Sequence, residues 1–85
     1  MSAPRPLVAA LHRLQFEPAQ DCWVLHHPDG MVRLNTSAAE ILRRCDGQRS
    51  VDEIVAELEL AFLQGALRDD VCTFLDEARR QGWLQ

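Results

Sequence analysis

The side chains in this chain best suited to metal binding or covalent chemistry are three histidines and three cysteines. His26 and His27 are adjacent, and neighbours on a strand point to opposite faces, so their rings cannot share a metal. His12 stands apart from both. Cys22, Cys45 and Cys72 lie 23 and 27 positions apart. Without a CxxC step they do not make a zinc site, and their odd number does not close a disulfide framework. They read as buried thiols in a reducing cytoplasm. There is no glycine-rich phosphate loop, no HExxH helix and no Gly-x-Ser-x-Gly elbow. The acid pairs Asp52-Glu53 and Asp76-Glu77 fit solvated helix faces. Ser37 and Ser50 each precede a glutamate by three residues, which suits helix caps better than attachment of a prosthetic group. No catalysis, no metal and no cofactor are expected.

Charge narrows the partners. The net charge is −4, and all nine cations are arginine. Residues 1–49 hold six arginines against five acids, whereas residues 50–85 hold three against eight. Arg43, Arg44, Arg49, Arg68, Arg79 and Arg80 are the cations a helix–turn–helix domain would turn toward phosphate. The acids crowding the second and third helices oppose that use, because a recognition helix needs a basic face. A winged helix-turn-helix nucleic-acid-binding regulator is the alternative reading.

Three short strands and three helices must position whatever site exists. Leu14 and Phe16 alternate with Arg13, Gln15 and Glu17, the pattern of a half-buried strand. Pro18 to Asp21 turns the chain. Trp23 and Leu25 then alternate with Cys22, Val24 and His26. Pro28-Asp29-Gly30 predicts a three-residue hairpin loop, and Met31 to Leu34 a third strand with Val32 and Leu34 on one face. Ser37-Ala-Ala-Glu40 predicts a capping box, with Ala38, Ile41, Leu42 and Cys45 on the buried face and Gly47 as the stop. Ser50 to Glu53 repeats the box, followed by the stripe Val51, Ile54, Val55, Leu58 and Phe62, with Gly65 ending the helix. Asp69-Asp70 opens a third helix with Val71, Phe74, Leu75 and Ala78 on one face, Arg79-Arg80 in its last turn and Gly82 beyond. Trp83-Leu84 is expected to fold back on the core. The expected class is α+β: a winged-helix-like arrangement of a three-stranded antiparallel β-meander followed by three α-helices.

Residues 1–10 are read as a flexible N-terminal arm and residues 11–85 as a single domain. The apolar run Leu7 to Leu11 is too short for a signal peptide's core. No run approaches the ~20 residues of a membrane span. If the third strand ends the sheet, its free edge can accept an extended peptide, with Val71, Leu75 and Ala78 as an apolar wall. Arg33 or Arg79 could then meet a peptide carboxylate. A free strand edge also permits a homodimer.

The runs Arg13 to Asp21, Val24-Leu25, Pro28 to Asn35 and Ser37 to Gly47 closely resemble the PqqD family of pyrroloquinoline quinone (PQQ) biosynthesis. The likeness continues through Ser50 to Leu58, Asp70-Val71, Phe74-Leu75 and Gly82-Trp83-Leu84, and covers about residues 11–84. It implies a peptide chaperone. Such proteins bind a ribosomally made precursor peptide and present it to a radical S-adenosylmethionine enzyme, which cross-links a glutamate and a tyrosine. The same fold serves as a recognition element in other modified-peptide pathways. Carried onto this chain, the peptide contacts would be the edge Met31, Val32, Arg33 and Leu34 and an exposed flank of Val71, Leu75, Ala78 and Arg79. One departure is Phe62-Leu-Gln-Gly65, where relatives often place a proline, so the link between the second and third helices is open.

Overall fold

The computed structural model describes residues 4–85. Its elements are β1 (Arg13–Glu17), β2 (Cys22–His27), β3 (Gly30–Leu34), α1 (Thr36–Arg43), α2 (Val51–Ala61) and α3 (Arg68–Arg80). The strands form one antiparallel sheet in the order β1-β2-β3. Leu14 lies opposite Leu25 and Phe16 opposite Trp23, while Leu25 faces Val32 and Trp23 faces Leu34. Since strand neighbours alternate, these six residues share the face turned to the helices. The other face carries Arg13, Gln15, Val24, Arg33 and Met31. Val24 is buried even there, with Gln15 and Arg33 as its neighbours on the strands at either side.

The hairpin between β2 and β3 is tighter than expected. His27 already pairs with Gly30, so the loop is Pro28-Asp29 alone. Gly30, at φ +149°, supplies the first strand residue in a conformation that glycine adopts without steric cost.

One hydrophobic cluster unites the layers. Leu25 and Leu34 enter it from the sheet, Ala38, Ile41, Leu42 and Cys45 from α1 and its C-terminal edge, Ile54, Val55 and Leu58 from α2, Val71, Leu75 and Ala78 from α3, and Leu84 from the C-terminus. α1 packs on β2 and β3, and α2 joins α1 to α3. Trp83 and Leu84 return to the core as the sequence suggests. Phe62, expected in the buried stripe, is instead 41% exposed at the end of α2. Among the described residues no helix is long and apolar enough to cross a membrane.

Helix ends show where local pattern and structure part. Ser50 and Glu53 form the reciprocal capping box. At α1, however, the cap is Asn35, whose side chain accepts from the Ala38 N–H at 2.8 Å, and Ser37 lies exposed within the first turn. Asparagine caps as well as serine does, and starting at Asn35 lets the helix follow β3 without a gap. α2 ends at Ala61, and the link to α3 takes left-handed backbone at Leu63 and Ala66 rather than at Gly65. Glu59 holds that link by accepting from the Leu67 N–H at 3.0 Å.

The N-terminal segment is not a free arm over the described residues. Pro6 is buried. Leu7 bridges to Asp46 and Val8 to Leu84. Backbone bonds run from Val8 N–H to Cys45, Ala9 N–H to Trp83, Gly47 N–H to Pro6 and Gln85 N–H to Leu7, all between 2.8 and 3.1 Å. This segment ties the end of α1 to the C-terminus, with Leu7 lying against the Cα of Gly47. Of the expected arm, residues 1–3 lie outside the described residues.

Two outcomes follow from this packing. Asn35→Ala and Ser50→Ala should each lower unfolding free energy by about 1 kcal/mol, whereas Ser37→Ala should leave the urea midpoint unchanged. Cys45, whose thiol is pushed up to about 12 by burial, should resist alkylation near neutral pH in the folded chain. The half-buried Cys22 and Cys72 should react, as mass spectrometry of peptide fragments would show.

Candidate functional site

Among the described residues β3 pairs with β2 alone, so the row of backbone N–H and C=O groups on its far side has no partner strand there. α3 is the helix beyond that edge. It reaches the sheet through shared core side chains, while the close element pairs are those of α1 with the sheet and of α2 with α1 and α3. A slot is left between β3 and α3, and a cavity opens at each end of it.

The first cavity, of about 210 Å³, lies where α1 begins and α2 gives way to α3; Ser37, Ile41, Leu58, Phe62, Leu67 and Val71 line it. The second, of about 380 Å³, lies at the β2–β3 hairpin and the end of α3, lined by His12, His27, Asp29, Val32, Gln81 and Trp83. One cavity thus joins the chain just past β3 to the start of α3, and the other joins the start of β3 to the end of α3. The two elements run antiparallel. The helical stripe Leu67, Val71, Phe74, Ala78 and Gln81 connects the cavities at three- and four-residue steps. With thirteen residues, α3 measures ~20 Å, enough to flank about six residues of an extended chain.

The residues singled out from sequence distribute unevenly over this slot. Met31 and Arg33 are exposed on β3, on the face away from the helices. Val32 is half-buried and faces the helical layer, and Leu34 is buried in the core. Val71, Leu75 and Ala78 do not form an exposed flank: they are 2%, 1% and 0% exposed. Their i, i+4, i+7 spacing is the buried stripe of α3, and the sheet and α2 need it to close the core. Arg79 is exposed and paired with Asp76 at 3.3 Å.

Phe74 was hidden in the same pattern. It is half-buried and packs against the rim of the core, midway along the stripe that connects the cavities. Leu67 and Trp83 stand in similar positions at the two ends. Their signal in the sequence is the width of the apolar stripe on α3, broader than a short helix needs to seal a core.

Electrostatics separates two kinds of arginine. Arg43 pairs with Glu40, Arg44 and Arg49 with Glu57, Arg68 with Asp52 and Arg80 with Glu77. Every cation considered for phosphate is therefore paired with a carboxylate, Arg44 and Arg49 sharing that of Glu57. Arg43 additionally lies over the Trp23 ring at 4.9 Å. The Glu57 carboxylate raises the affinity of Arg49 for its proton, and the Arg80 and Gln81 contacts hold Glu77 below its ordinary range. Among the described residues only Arg13 and Arg33 form no ion pair. Arg33 sits on the slot's own edge. No group of three potential metal ligands occurs among the described residues, and His12 stacks on His27 with ring centroids 6.2 Å apart.

Comparison with known proteins places this geometry. The family model described as Coenzyme PQQ synthesis protein D (PqqD) matches residues 22–84. A Pseudomonas paraeruginosa protein named PqqA binding protein is 48% identical over 81 residues, spanning 94% of this chain and 88% of its own. An Azotobacter vinelandii protein of the same name is 49% identical over 74 residues, spanning 86% and 80%. One from Methylococcus capsulatus is 38% identical over 78 residues, spanning 92% and 84%. The solution structure of the PqqD portion of Methylobacterium extorquens PqqCD, described as a stand-alone recognition element for ribosomally synthesised, modified peptides, superposes with a TM-score of 0.80. It covers 99% of this chain and 95% of that one at 20% identity, a likeness of fold. With three quarters of its length matched by the family model and relatives near half identity along almost all of it, the chain belongs to the PqqD family.

Proposed function

We propose that this chain is a non-catalytic peptide chaperone of PQQ biosynthesis, which binds the precursor peptide by strand addition along β3. The observation that carries the reading is the unpaired edge of β3 facing α3 across a slot with a cavity at each end. An extended peptide laid there would bond its backbone to β3 and send alternate side chains toward Val32, Phe74 and the cavities. Side chains of the opposite parity would emerge beside Met31 and Arg33, where the unpaired guanidinium suits a peptide carboxylate. Val71, Leu75 and Ala78 form the packed floor beneath the slot rather than its contact surface. The relatives' name, PqqA binding protein, supports the same guest.

Presentation to a radical S-adenosylmethionine enzyme completes the proposed role. Ordering a flexible peptide forfeits ~2–5 kcal/mol of gross interaction energy, so the complex should be of moderate affinity and exchange readily. Its benefit is the raised local concentration of an already extended substrate. Unpaired thiols at Cys22, Cys45 and Cys72 support a reducing cytoplasmic setting. The nucleic-acid reading has little to rest on, since its arginines are neutralised by neighbouring acids.

Amide-shift mapping tests the reading directly. Titration with a synthetic PqqA peptide should perturb residues 30–35 and 67–83, and duplex DNA should perturb neither; the reverse result would overturn the assignment. Substitution separates slot from floor. Phe74→Ala should keep the fold and weaken peptide binding about fivefold, the equivalent of ~1 kcal/mol for half a buried phenylalanine. Leu75→Asp should unfold the domain outright, because an unpaired charge in the core costs more than a small domain's stability. Unchanged calorimetric affinity in a folded Phe74→Ala chain would remove Phe74 from the slot.

A further inference from the structure

Two leucines stand at the ends of the slot in backbone that leucine rarely adopts. Leu11 has φ +66° and Leu63 φ +51°. They are 85% and 89% exposed, the most exposed large apolar side chains among the described residues. Leu11 is the third residue of a turn closed by the His12 N–H on the Ala9 carbonyl at 3.2 Å, a position whose positive φ glycine ordinarily supplies. Leu63 follows α2, where the Gln64 N–H returns to the Glu59 carbonyl at 2.9 Å and the Leu63 N–H to that of Leu60 at 3.2 Å. Helices that end in this pattern usually place glycine at the left-handed residue.

At both positions leucine works against the fold. Its Cβ is crowded by the following carbonyl in left-handed backbone, and a side chain left in water contributes no burial in return. Glycine would relieve the crowding at either place.

Their positions give the two leucines a common use. Leu11 directly precedes His12, which lines the hairpin-end cavity together with Asp29 and Trp83. Leu63 lies between Phe62 and Gln64, which line the other cavity together with Leu67 and Asp70. Leu60, in the last turn of α2, is exposed as well. Each end of the slot thus has an apolar rim and a carboxylate, Asp29 at one and Asp70 at the other.

We infer that Leu11 and Leu63 are flanking contacts for the guest peptide, whose apolar residues beyond the strand-paired stretch pack on one leucine at each end of the slot. The inference rests on strand addition along β3 and adds a rule for the guest. Apolar residues are wanted at both ends, about six or more positions apart along an extended chain. Acidic residues are disfavoured there by Asp29 and Asp70, and belong between the ends, opposite Arg33. The occupant is the peptide because the two rims adjoin the two cavities of one slot, and an extended chain lying along it reaches both at once.

Calorimetric titration with a full-length synthetic PqqA peptide, beside urea unfolding of each variant, tests this. Leu11→Gly and Leu63→Gly should each weaken peptide binding about threefold, and the double variant about tenfold. The urea midpoint should stay level or rise, because the left-handed crowding is relieved. Leu11→Met and Leu63→Met, which keep an apolar side chain, should bind as the native chain does. Unchanged affinity in both glycine variants would overturn the inference and leave strand addition standing if Phe74→Ala still weakens binding. A midpoint that falls together with the affinity would also overturn it, since the leucine would then be serving the fold. A native chain that does not bind the peptide would overturn both readings.

Discussion

The slot exists because of how little of the sheet the core claims. Only Leu25 and Leu34 enter the central cluster from the strands, against twelve residues from the helices, their ends and the C-terminal turn. β3 is anchored at its end by Leu34 and along its length only by the half-buried Val32. α3 is drawn down by Val71, Leu75 and Ala78, and by the α2 side chains it shares the core with. The helix is thus fixed relative to the core without being pressed against the strand.

This arrangement places the recognition surface on the least committed part of the fold. A small domain buries only ~60% of its unfolded surface, and the two strand edges are among the parts left without partners in the described residues. Backbone groups on an edge lose little by staying in water and gain a row of hydrogen bonds when another strand arrives. Specificity must then come from beside the edge: Phe74 and the two cavities on one side, Arg33 on the other. The charge distribution reinforces this division. Arginines on and between the helices are held by glutamates and aspartates within the fold, and the two that are not lie one on each edge strand.

Chain connectivity does the remaining work. Residues 6–9 run between the end of α1 and the C-terminal turn, so the two ends of the chain lock each other. That lock sets the position of Trp83 and Gly82, and with them one cavity of the slot. The N-terminal segment looks dispensable in composition, yet it bonds to the residues that terminate α1 and follow α3.

Much of this could be read from local pattern. Period-two alternation located the strands and their faces, Pro28-Asp29-Gly30 located the hairpin, and Ser50 with Glu53 located the start of α2, because each signal is settled by interactions within a few residues. Choices between near-equal local options were not legible. Asn35 and Ser37 both suit a cap, and the approach of β3 decided between them. Pro6, Leu7 and Val8 gain their partners only from residues about forty or more positions away, so no local pattern announces them. On α3, Phe74 shares one apolar stripe with Val71, Leu75 and Ala78. Periodicity shows that this stripe faces inward; only the packed structure shows which of its residues are floor and which are wall. The sequence alone determined the elements, the antiparallel sheet and its free edges, since these follow from spacing and backbone chemistry. The tertiary structure decided what stands beside each edge, because that depends on how a helix sits over a core built mostly from the helices.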